Sequence, residues 1–224
     1  MSKVIIALDF SSKQEVIQFL KPFGQEKLFL KIGMELYYQE GNKFVKELKE
    51  QGHQIFLDLK LHDIPHTVYK AILNLTKLKV DLITVHALGG SAMLKAAQKA
   101  VARTNTKLLG VTVLTSLDEQ ILKNELGITT NLTQQVYNLA ELVNKAGIYG
   151  IVCSPLEANL FANHNIICVT PGIRLQNDSL DDQKRIMTPK EALKLGSDFL
   201  VIGRSITSKE NPYQVYQDIL QEIK

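Results

Sequence analysis

A chain of 224 residues, 45% hydrophobic and 22% charged, can bury one large core and has the balance of an ordinary globular protein. Its formal charge of +3 is spread along the sequence, so it carries neither a nucleic-acid arm nor a polybasic membrane patch. No segment is apolar for long enough to span a bilayer. Cys153 and Cys168 are isolated among apolar residues, which fits core packing in a reducing compartment and not a zinc site. The N-terminal apolar run is too short for a signal peptide and closes on Asp9, so the expected location is the cytoplasm.

Val4 to Leu8 reads as a short buried strand. Ser12-Lys13-Gln14-Glu15 has capping-box spacing and opens a helix with Val16, Phe19 and Leu20 on its apolar face. Leu28 to Gly33 is a second strand carrying Lys31 near its end, and a helix runs from there to about Glu50, stopped by Gly52. Ile55-Phe56-Leu57 leads a third strand into Asp58-Leu59-Lys60-Leu61-His62-Asp63-Ile64-Pro65, and Pro65 suits the first position of a helix burying Val68, Ile72 and Leu75. Asp81 to His86 is the fourth strand, with Met93, Leu94, Ala97 and Val101 on its helix. Lys107 to Leu114 is the fifth, followed by an insertion with one short helical piece and a helix containing Val136, Leu139 and Val143. Tyr149 to Cys153, Asn165 to Thr170 and Asp198 to Ile202 complete the strands. Thr188-Pro189-Lys190-Glu191 caps a helix ending at Gly196, and a last helix starts near Pro212.

Eight short apolar strands alternating with amphipathic helices imply a parallel sheet covered on both faces. Eight such units over residues 1–224, with no break in composition, predict a single-domain closed (β/α)8 TIM barrel. An open doubly wound sheet is the alternative, but no glycine-rich fingerprint follows the first strand.

In such barrels the site lies at the carboxyl ends of the strands. Asp9, Lys31, Asp58, Lys60, His86, Thr115, Arg174 and Arg204 all fall there, while the opposite ends carry mostly ordinary residues. Strand alternation puts Asp58 and Lys60 on one face, where each is costly to bury unless paired. Asp63 follows on the turn, so two carboxylates flank one ammonium; the pattern fits a built electrostatic device or a structural ion pair. Gly203-Arg204-Ser205 and Pro171-Gly172-Ile173-Arg174 follow the last two strands, where barrels commonly bind phosphate. The polar run from Leu175 to Lys184 has the length of a lid.

These segments resemble the orotidine 5′-phosphate decarboxylase family. The match is carried by Asp58 to Pro65 together with Lys31-Ile32-Gly33-Met34-Glu35-Leu36, Val111 to Ser116, Thr170 to Arg174, Gln183 to Pro189 and Ile202 to Ser205. A bare DxKxxD is shared with related sugar-phosphate decarboxylases and aldolases; the whole ordered set is specific to this family's bacterial branch. The resemblance implies a cofactor-free enzyme with no metal, converting orotidylate to UMP and carbon dioxide in the last step of de novo pyrimidine synthesis. It implies that Lys60 is the proton donor within the set Lys31, Asp58, Lys60 and Asp63, and that Asp9 and Lys31 contact the ribose. Thr67 and Thr115 would help bind the nucleotide, and Arg174, Gln183, Gly203 and Arg204 would hold the phosphate end. It further implies a homodimer in which Asp63 enters the neighbouring site. His66 departs from the Asn usual in the family. Two rival readings are a magnesium-dependent 3-keto-gulonate-6-phosphate decarboxylase and a catalytically silent barrel that only binds nucleotides.

Overall fold

The parallel strands pair in chain order and the last returns to the first, closing a barrel. They are β1 (Val4–Leu8), β2 (Phe29–Gly33), β3 (Gln54–Leu61), β4 (Leu82–His86), β5 (Lys107–Val111), β6 (Gly150–Val152), β7 (Ile167–Thr170) and β8 (Phe199–Ile202). This computed structural model describes residues 2–175 and 187–224. The expected (β/α)8 architecture is the one found, with several strands a residue or two shorter than their apolar runs.

Two-sided burial explains the strand composition. Alternate residues Ile5, Ala7, Phe29, Phe56, Leu82, Leu109, Val169 and Val201 point inward and form one apolar cluster inside the barrel. The residues between them, such as Ile6, Leu30, Leu57, Ile83 and Leu108, pack outward under the helices in a second, larger cluster. Phe29 and Phe199 meet edge to face with ring centroids 6.1 Å apart. The interior is therefore a packed plug, and polar side chains can enter only above it.

The covering helices are α1 (Lys13–Leu20), α2 (Met34–Glu50), α3 (Pro65–Thr76), α4 (Gly90–Val101), α5 (Glu119–Asn124), α6 (Leu132–Lys145), α7 (Pro155–Ala158), α8 (Pro189–Lys194), α9 (Arg204–Thr207) and α10 (Pro212–Glu222). The box expected at Thr188 and Glu191 is complete in both directions. The one expected at Ser12 is half formed: Ser12 accepts the N–H of Glu15, but the Glu15 carboxylate takes the N–H of Ser11. Helix α2 is kinked at Gly41, whose φ of 65° suits glycine. Gly110 on β5 has a different purpose, since a Cβ there would lie 2.2 Å from Val143 and push α6 off the barrel. Among the described residues no helix is long and apolar enough to cross a membrane.

The amino-terminal ends of the strands are less ordinary than their sequence suggests. Asp81 accepts the N–H of Ile55 at 2.7 Å and pairs with Lys49 at 2.7 Å, and Asp198 accepts the N–H of Cys168 at 2.7 Å. These carboxylates tie neighbouring strands together below the plug and have no part in the mouth. His53, just before β3, is buried there and accepts the N–H of Leu28 through Nδ1 at 3.2 Å. Burial, and then the positive charges of Lys27 and Lys49, lower its pKa from the ordinary 6.5. The unfolded chain takes up that proton more readily, so stability is full above pH 6.5 and is lost as acid approaches the folded-state value. We expect the melting temperature to fall between pH 7.5 and 5.5 through this group. His53→Asn, whose carbonyl keeps an acceptor for Leu28, should flatten that dependence in thermal melts followed by circular dichroism.

Candidate active site

The mouth of the barrel is shaped by an irregularity in β3. Against β2 the strand runs in register as far as the Gly33–Asp58 pair. Against β4 it slips, because Leu57 opposes Ile83 while Leu61 opposes Val85. Asp58, Leu59 and Lys60 thus share the single partner position of Thr84, and the strand bulges. Lys60 takes φ 47°, in the left-handed region, at a cost of about 1–2 kcal/mol for a residue with a Cβ. Asp58 and Lys60 face the cavity while Leu59 and Leu61 pack outward, as their alternation suggests, although the strand bulges against β4 between them.

The bulge is held by side chains. The ammonium of Lys60 donates to Oδ2 of Asp58 at 2.7 Å, and the Thr84 hydroxyl donates to Oδ1 at 3.0 Å. The same hydroxyl accepts the Lys60 N–H at 2.8 Å. Next to this pair stands a second one: Lys31, 9% exposed, donates to Oδ1 of Asp9 at 2.9 Å. Two ammonium groups at the floor of a barrel each have their own carboxylate, as burial demands.

Both pairs open into one cavity of about 240 Å³. Of the residues singled out from sequence, Asp9, Lys31, Asp58, Lys60, Thr115, Arg174, Gly203 and Arg204 line it, against apolar walls from Phe56, Val111, Val113 and Val201. Arg174 is 7% exposed; its guanidinium donates to the Ile173 carbonyl at 3.1 Å and its backbone N–H to the Met187 carbonyl at 3.0 Å. Ser205 also donates to the Ile173 carbonyl, at 3.5 Å, tying the loops after β7 and β8 together. Arg204 lies across the rim, at the start of α9. The arrangement places two neutral ion pairs at the floor and two guanidinium groups on one side of the mouth.

Other expected residues are not gathered there. Asp63 is exposed, lies outside the cavity lining, and accepts the N–H of Ile64 at 2.6 Å. Within one chain, among the described residues, the ion pair of Lys60 is therefore with Asp58, and Asp63 of the same chain is not the second flanking carboxylate. Thr67 is likewise exposed, on the first turn of α3. Gln183 and the polar run up to Lys184, apart from Leu175, fall outside the described residues. His86 sits behind Lys60, stacked on His62 with centroids 5.3 Å apart. Its Nδ1 is buried with no hydrogen-bond partner among the described residues, and burial, then His62 and Lys60, lower its pKa. Thr84 was absent from the residues singled out by sequence. Its signal was its register, inward between Leu82 and His86 on an otherwise apolar strand.

Comparison with known proteins agrees with this geometry. The model of the Orotidine 5′-phosphate decarboxylase / HUMPS family matches residues 2–219. A Staphylococcus haemolyticus protein named orotidine 5′-phosphate decarboxylase is 52% identical over 220 residues, covering 96% of this chain and 95% of its own. A Geobacillus protein of the same name is 49% identical over 229 residues, covering 98% and 96%. The crystal structure of orotidine 5′-phosphate decarboxylase from Lactobacillus acidophilus superposes with a TM-score of 0.89 at 38% identity, covering 99% of this chain and 98% of that one. The chain belongs to the orotidine 5′-phosphate decarboxylase / HUMPS family.

Proposed function

We propose that this protein is a cytoplasmic orotidine 5′-phosphate decarboxylase, releasing carbon dioxide to give UMP at the end of de novo pyrimidine synthesis. The observation that carries the reading is the paired ammonium of Lys60 at the floor of a cavity rimmed by Arg174 and Arg204. The near-complete match to relatives bearing that name supports it.

The chemistry follows from charge placement. Breaking the bond between C6 of the pyrimidine and its carboxylate leaves the electron pair on C6, with no ring position to delocalise it. Stabilisation must then come from fixed charge. The Lys60 ammonium stabilises the developing anion and delivers its proton to C6 as carbon dioxide leaves; the neutral amine regains a proton from water. Asp58 holds the ammonium in place through the 2.7 Å contact with its Oδ2. Asp9 and Lys31 bind the ribose, and Thr115 helps fix the base. Arg174, Gly203, Arg204 and Gln183 hold the phosphate, so that binding energy remote from C6 positions the ring.

The enzyme works as a homodimer in which Asp63 and Thr67 serve the neighbouring cavity. What supports this is the run from His62 to Thr67, exposed throughout, with Ile64 66% exposed beside an Asp turned away from its own cavity. A large apolar side chain left in water next to a needed carboxylate fits a surface that a second copy covers.

The direct test is the ultraviolet change on adding orotidylate with a metal chelator present. Full activity is expected, and activity lost to the chelator would favour the magnesium-dependent relative. Lys60→Ala should abolish turnover, by about 10³-fold or more, while UMP still binds by calorimetry. A near-normal rate in that variant would remove Lys60 from its role. Mixing Lys60→Ala with Asp63→Ala subunits should restore activity, because one of the two cavities in each heterodimer is then intact. No recovery after mass spectrometry confirms the heterodimer would disprove the shared site.

A further inference from the structure

The bulge in β3 leaves Lys60 with a backbone N–H that the regular ladder does not serve, and with a φ that an L-residue adopts only under constraint. Thr84 meets both needs. It is fully buried at 0% exposure and lies outside the cavity lining, behind Asp58 and Lys60, which do line it. An amide can only donate and a carboxylate only accepts, so the direction of each bond is fixed. The Lys60 N–H donates to the Thr84 oxygen, the Thr84 hydroxyl donates to Asp58, and the other Asp58 oxygen accepts from the Lys60 ammonium. This circuit begins and ends on one residue. It locks the backbone of Lys60 to the far end of its own side chain.

We infer that Thr84 is a positioning residue for the reaction, setting where the Lys60 ammonium stands through its single hydroxyl. The inference rests on the proposed role of Lys60 and deepens it. A valine in place of Thr84 keeps the volume but can neither donate to Asp58 nor accept from Lys60. The amide then loses its acceptor, one Asp58 oxygen is released, and the bulge is free to relax. Small displacements of a reacting group lower rates strongly, whereas the loops that hold phosphate are untouched.

The experiment compares wild type, Thr84→Val, Thr84→Ser and Lys60→Ala in steady-state kinetics and in UMP binding by calorimetry. For Thr84→Val we expect kcat to fall by about 10- to 100-fold. Its KM and UMP dissociation constant should stay within about twofold, since only the placement of the ammonium changes. Thr84→Ser, which keeps the hydroxyl, should remain within about threefold of wild type in kcat. If Thr84→Val does not fold, Thr84→Cys, whose thiol is a poor donor and acceptor, takes its place with the same expectation. A kcat for Thr84→Val within about twofold of wild type would overturn the inference. So would an equal loss in UMP affinity, or a serine variant as impaired as the valine one, since each marks a merely structural role. Lys60→Ala separates the two levels. If it is inactive while Thr84→Val is normal, the circuit alone is wrong; if it is active, the role of Lys60 fails first.

Discussion

An ammonium can stand at the floor of an apolar barrel only if a carboxylate stands with it, and the contact between Lys60 and Asp58 meets that condition. The interior below is closed by Phe29, Phe56, Leu82 and Leu109, so water cannot hydrate the ion pair from underneath. Apolar walls from Val111 and Val201 limit hydration from the sides. In such surroundings electrostatic interactions are stronger than in water, and an unpaired charge is correspondingly costly. The plug, the bulge and the hydroxyl of Thr84 all serve to keep one charge pair in one place.

The barrel divides into a structural frame and a chemical mouth. Here the frame is the regular part: eight strands whose inward residues fill the lower barrel and whose outward residues seat the helices. Chemistry enters where the inward series runs past the plug, from Ala7 to Asp9, from Phe29 to Lys31, and from Phe56 to Asp58. Function is thus a continuation of the same alternation that builds the core, with the apolar side chain replaced by a charged one at the ends of these three strands.

That regularity is why so much was legible. Short continuous apolar runs identified the strands, and the polar residues at their carboxyl ends gave Asp9, Lys31 and Asp58 as members of one cavity. The features that escaped have physical reasons. The left-handed backbone at Lys60 falls on a lysine, where no glycine advertises it. Thr84 looked like an ordinary strand threonine because its role depends on register between β3 and β4, and register is a property of pairing and not of either strand. Asp81 and Asp198 show the converse: charges at strand starts that looked unremarkable clamp backbone N–H groups. Asp63 and Thr67 could be named from family resemblance, but one chain places them outside its own cavity.

The unequal distribution of charge around the cavity has a further consequence. At the floor, Lys31 and Lys60 are each matched by an aspartate, so the local sum is close to neutral; at the rim stand the guanidinium groups of Arg174 and Arg204. An anionic group entering the cavity therefore meets arginine side chains on the side of the β7 and β8 loops and lysines already paired with aspartates at the bottom. The two ends of the cavity thus differ in chemical character, and a molecule that fits it must be polarised in the same sense.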